Sequence, residues 1–371
     1  MKRLFFLIIF LVLSSTTFAQ LLSDNESKQL IIKGLDKLYN YEFKEADVFF
    51  QKVKAKYPKH PVTPLLSALQ VQWQNLPVEQ NSKILNQYIL LLEKCQVLAE
   101  PLLNDPSRRA EGTFFLVASH GYIALVLNDK KEQVKAANEA RKAYGYLKDG
   151  RKWTERNPEF LFTSGLYNFY RIQYPETHPI VKPIMLFLED GNRKLGLQQL
   201  EQAVQKSVFS RIEAAYYLTS VNLKYESNYP KALVYSTWLH EKYPNNLLYT
   251  MRHAESLVMN GKYDDAIPFI QTLKKTNEKE YILAGNLFEG QIAEKAKKND
   301  KLAYDLYNIV LKIQPSDRYT SDYYAIAYAG LARIAHRAGN SKRAEELYNK
   351  CLDYAEYNST TAEAKKYLNK R

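Results

Sequence analysis

A local pattern of small, aromatic and proline residues recurs along this chain and limits what it can fold into. Ala232 has Ser220 twelve residues before it, Leu239 seven after and Pro244 twelve after. Ala46 has Gly34, Val53 and Pro58 at the same offsets. Ala266 is set between Ala254 and Leu273, Ala303 between Gln291 and Val310 with Pro315 beyond, and Ala344 between Ala332 and Cys351. The fourth neighbours of these alanines, Phe50, Ser236, Ile270, Tyr307 and Tyr348, share a helical face with the alanine and its seventh neighbour. Small residues at matched points of two successive helices let the backbones approach closely. Each unit therefore reads as a helical hairpin that buries its apolar face against the next one.

Two copies, 213–246 and 247–280, abut without a spacer and give a period of 34 residues. Gly261 in "NGKYDDA" and Gly339 in "AGNSKRA" supply reversals between helices. This pattern resembles the tetratricopeptide repeat, and the positions that carry the likeness are Gly34, Ala46, Pro58, Ser220, Ala232, Pro244, Ala254, Ala266, Ala303, Pro315, Ala332 and Ala344. The resemblance implies an all-α fold, an α-solenoid coiled as a right-handed superhelix. Repeats are expected at about 27–60, 213–246, 247–280, 284–317 and 325–358, with degenerate hairpins over 61–206 and a polar capping helix over 360–371. Residues 20–371 then form a single repeat domain.

The first twenty residues, "MKRLFFLIIFLVLSSTTFAQ", join Lys2 and Arg3 to an apolar run and a small-x-small site, as in a signal peptide cut after Ala19. The run is shorter than the roughly 20 apolar residues that cross a bilayer, so no stable membrane insertion is expected after cleavage. The ending resembles export signals of the Bacteroidota, which implies a periplasmic location, with secretion as the second choice. Cleavage leaves 50 basic against 40 acidic residues, a balance that favours an acidic protein or peptide partner and, in an exported protein, not nucleic acid. Dispersed over many helices, the same charges also read as ordinary solvated faces. Cys95 and Cys351 are too isolated in sequence to form a metal or redox motif, so disulfides do not hold this fold.

The chain carries no metalloprotease, nucleophile-elbow, P-loop or dinucleotide motif, and its six histidines are scattered singly. No enzyme activity, cofactor or metal is expected. The expected function is a non-catalytic scaffold of the bacterial envelope that holds a peptide or partner protein on the concave solenoid face. The alternative is an exported helical enzyme or glycan-binding protein acting on envelope or dietary polysaccharide. The repeat pattern breaks between Trp153 and Lys206, where an aromatic helix expected to end at Pro175 meets a segment interrupted by Pro179 and Pro183. Insertions in solenoids gather on one face, often the binding face. Tyr167, Tyr170, Arg171, Tyr174, His178 and Arg193 are the candidate binding residues there, with plain core packing under a loop as the competing reading.

Overall fold

The computed structural model describes residues 21–177, 182, 188–315 and 319–369. The signal segment, His178, Pro179 and Pro183 lie outside the described residues. Every regular element among those residues is a helix. The first half is built from α1 (Asn25–Tyr39), α2 (Phe43–Lys56), α3 (Val62–Gln74), α4 (Ser82–Ala99), α5 (Arg109–Asp129), α6 (Gln133–Gly150) and α7 (Phe160–Thr177). The second half runs through α8 (Arg193–Lys206), α9 (Arg211–Lys224), α10 (Tyr229–Lys242), α11 (Leu247–Met259) and α12 (Tyr263–Lys274). It continues with α13 (Lys279–Lys295), α14 (Asp300–Val310), α15 (Tyr323–Arg337), α16 (Ser341–Leu352) and α17 (Asn358–Leu368).

These helices pack as consecutive antiparallel hairpins, and the first helix of each hairpin also touches the first helix of the next from α9 to α17. The fold is an α-solenoid of tetratricopeptide-like hairpins, with the first helices inside and the second helices outside. Local chemistry explains the breaks. Asn228, Asn246, Asn299 and Asn340 cap the helices that follow them by accepting a backbone N–H, which removes one of the orphan donors of the first turn. Gly261 and Gly339 adopt φ of 72° and 78°, where a side chain would be strained. The close crossings rest on small residues meeting rings. A Cβ on Gly34 would collide with the Phe50 ring, and one on Gly330 would collide with Tyr307.

Ala46, Ala232, Ala254, Ala266, Ala303, Ala332 and Ala344 are all fully buried at these crossings. The chain departs from the sequence expectation at Pro175, because α7 passes through it to Thr177. Pro175 forgoes one i→i−4 hydrogen bond, and only Glu176 and Thr177 follow it within the helix. The last helix begins two residues earlier than expected and ends at Leu368. Cys95 and Cys351 are buried free thiols, and burial pushes both pKa values up, that of Cys351 to about 12.

The coil is tight enough for distant hairpins to touch. At the end of α1, Asp36 accepts from Tyr243 Oη at 2.6 Å and is paired with Arg211 and Lys242. Asn40 Oδ1 accepts from the Asn245 backbone N–H at 3.0 Å, and Asn246 Nδ2 donates to the Tyr39 carbonyl at 2.9 Å. At the other end, Asn358 Nδ2 donates to the Tyr225 carbonyl at 2.6 Å, and Tyr225 Oη donates to Glu356 at 2.7 Å. Both ends of the solenoid thus close onto its middle, around α9.

Candidate functional site

This closure leaves two different interiors. Inside the coil of α11 to α17, the central space is filled by the protein's own charges. Arg252 and Glu255 are 2 % and 1 % exposed and pair at 2.7 Å, and Tyr323 Oη donates to the same Glu255 oxygen at 2.7 Å. Tyr357 Oη donates to the other oxygen. Arg252 also reaches Tyr323 Oη at 3.0 Å and Tyr216 Oη at 3.4 Å, and its guanidinium lies 5.7 Å from the Tyr216 ring centre. A second set joins Glu294 to Arg333, Arg337 and Tyr307. Burial pushes the Glu294 carboxyl up, but these partners outweigh it and hold it below the usual carboxylate range.

The other interior is a crevice where α5, α7 and α9 converge. One face of α9 carries Glu213, Tyr216, Tyr217 and Ser220, spaced so that all four point the same way. All four keep part of their surface exposed, although rings surround them. Phe162 of α7 packs edge-on to Tyr217 at 5.6 Å, and Tyr216 and Tyr217 meet at 6.0 Å. Tyr122 of α5 approaches Glu213 Oε1 with its hydroxyl at 3.5 Å, the outer limit of a hydrogen bond. Oε2 of Glu213 and Oγ of Ser220 are covered by protein and have no hydrogen-bond partner. Burial pushes the Glu213 carboxyl up to about 8, against a small lowering from its own backbone N–H. Unsatisfied polar atoms of this kind cost stability unless something pairs with them.

Of the residues picked out in the sequence, Tyr170 belongs to this crevice. Its ring sits edge-on to Tyr225 at 6.1 Å, and its pKa is raised by burial and then by Tyr217, Glu356 and Tyr216. Tyr167, Arg171 and Arg193 lie on the outer side of α7 and at the start of α8 and act as a clasp. Tyr167 Oη and Arg171 Nε donate to the Glu189 carbonyl at 2.5 Å and 3.1 Å. Arg151 covers the Tyr167 ring at 5.1 Å and pairs with the Glu189 carboxylate at 2.8 Å. Arg193 spans Gln173 and Glu176, at 2.7 Å and 2.5 Å. Tyr174 is exposed.

Sequence reasoning missed Tyr122, Glu213, Tyr216 and Tyr217. The signal available was the run of Tyr216, Tyr217 and Ser220 at helical spacing from Glu213, but Tyr122 stands 91 residues away on another helix. A further groove, of about 640 Å³, runs between α4, α5 and α6. Its floor is Leu85, Ile89, Ile123 and Leu127, and its charged walls largely pair among themselves: Glu132 with Lys130 and Lys135, Glu139 with Lys142 and His120. Among the described residues, no three His, Cys, Asp or Glu side chains gather as metal ligands.

No family model and no curated protein matches this chain. Among solved structures it is similar to a monomeric mutant of IFIT1 with Gppp-AAAA, at 13 % identity and a TM-score of 0.36, covering 89 % of this chain and 95 % of that one. A likeness at that level carries no argument about what this chain binds.

Proposed function

We propose that this protein is a non-catalytic scaffold of the bacterial envelope, exported to the periplasm, that holds an extended peptide or partner segment in the crevice between α5, α7 and α9. The observation that carries the reading is the row of partly exposed side chains along α9, Glu213, Tyr216, Tyr217 and Ser220, with Phe162 of α7 packed edge-on to Tyr217. Tyrosine suits such a surface, because it offers an apolar face and a polar tip at low entropic cost. The net positive charge of the chain acts at long range on acidic parts of a partner, and the crevice supplies a separate, short-range anchor.

A photoreactive amino acid in place of Tyr217 tests this in cells. The expected result is a crosslinked polypeptide partner that is not captured from Val234, which is 65 % exposed on the outer face of α10. Capture of the same partner from Val234 but none from position 217 would overturn the crevice as the binding face.

A further inference from the structure

A second surface lies on the outer face of the solenoid, and its role is independent of what the crevice binds. α4 and α6 are the second helices of successive hairpins; both pack on α5 and leave between them the groove of about 640 Å³. A row of side chains stands at each lip. On α4 it is Leu90, Glu93 and Val97, exposed and at helical spacing, with Glu93 lining the groove. On α6 it is Val134, Asn138 and Arg141, likewise exposed, with Asn138 and Arg141 lining the groove. Leu90, Val97 and Val134 are 65 %, 66 % and 77 % exposed. Lys130, Glu132, Lys135, Glu139 and Lys142 pair within the chain, whereas among the described residues the side chains of Glu93 and Arg141 form no ion pair or hydrogen bond. One lip therefore offers a free anion and the other a free cation, each beside exposed apolar groups.

Such a surface is complementary to itself. A two-fold axis across the helices runs a second copy's helices antiparallel to the first and makes every contact twice. With the α6 lip of one copy laid against the α4 lip of the other, Arg141 comes level with Leu90, Asn138 with Glu93, and Val134 with Val97. Arg141 lies one turn from Asn138, so its stem covers Leu90 while its guanidinium reaches Glu93. The two valines meet at the other end. We propose that α4 and α6 form the interface of a two-fold dimer of this chain, held by two Glu93–Arg141 pairs and the apolar contacts beside them. A second copy supplies both charges at the right spacing, so no other partner is needed to match this face.

Sedimentation equilibrium of the purified protein from about 1 to about 100 µM tests this. The expected mass is twice that of the chain. Leu90→Arg sets like charges opposite each other and should weaken the dimer at least tenfold, as should Glu93→Arg alone and Arg141→Glu alone. All three positions are exposed, so the variants should keep the fold, which circular dichroism checks. An equimolar mixture of Glu93→Arg with Arg141→Glu should dimerise again, because each contact then joins an arginine to a glutamate. A monomer throughout the range, a dimer unmoved by Leu90→Arg, or a mixture no tighter than its components each overturns the interface. A monomer that instead captures a different protein through this face also overturns it.

Discussion

Glu213 and Glu255 sit on neighbouring inner helices, each among tyrosines, yet they meet opposite fates. Glu255 is enclosed and receives Arg252, Tyr323 and Tyr357. Glu213 has one long contact to Tyr122 and an oxygen with nothing opposite it. The same residue types pair both carboxylate oxygens in one place and leave one oxygen unpaired in the other.

That contrast breaks most readily at Arg252. Arg252→Ala leaves Glu255 buried and uncompensated, and removal of one member of a buried pair costs about 3–5 kcal/mol. Chemical denaturation is expected to show a loss in that range, and a loss under 1 kcal/mol would mean that Glu255 is not held as described.

Paired tyrosine truncations come next. Tyr357→Phe deletes a bond to a buried carboxylate and should cost about 1.5–3 kcal/mol, while Tyr122→Phe should cost well under about 1 kcal/mol. Equal costs would erase the distinction between the two interiors.

The dependence on pH has opposite signs at two carboxyls. The folded pKa of Glu213 lies above its ordinary 4.5, at about 8, so its neutral form is favoured in the fold. Its contribution is therefore full below pH 4.5 and is lost as pH rises towards 8. The stability of Glu213→Gln relative to the natural protein should climb across that window by up to about 1.4 kcal/mol per pH unit. Glu294 is depressed, so its contribution is present above the ordinary carboxylate pKa and fades as pH falls through the lowered one. Melting curves between pH 2 and 9 should show Glu213→Gln gaining on the natural protein as pH rises above 4.5, and Glu294→Gln losing its disadvantage as pH falls below 4.5; a Glu213→Gln curve parallel to the natural protein above pH 4.5, or a Glu294→Gln curve parallel to it below, would contradict the comparison.

The smallest effect is expected far from either interior. Arg343, half-exposed, pairs with Glu346 one turn along α16, and Arg343→Ala should shift stability by less than about 0.5 kcal/mol. A larger shift would show that surface pairs matter here as the inner ones do.

The repeats were legible because their signal is local. The small residue in one helix, the alanine in the next and the ring that fills between them recur within one hairpin, as Gly34, Ala46 and Phe50 do. The sequence places the end of α7 at Pro175, whereas the helix runs two residues past it to Thr177, because one forfeited backbone hydrogen bond does not by itself end a helix of eighteen residues. The crevice could not be read, since Tyr122 and Glu213 meet only after the whole coil has closed. Tyr170 stands out in the sequence by its aromatic neighbours and lies near Tyr216 and Tyr217, whereas Tyr167 and Arg171 clasp Glu189. The aromatic density of α7 does not by itself separate the face towards the proposed crevice from the face towards Glu189.

The ties from α1 to the turn after α10 have a consequence for how the molecule comes apart. A linear repeat array is coupled only between neighbours and can fray one hairpin at a time. Here Tyr39, Asp36 and Asn40 bond to Asn246, Tyr243 and Asn245, more than two hundred residues away. Fraying of the first hairpin strips partners from the middle of the coil, so loss of either end should propagate inward. The solenoid should melt as one cooperative unit.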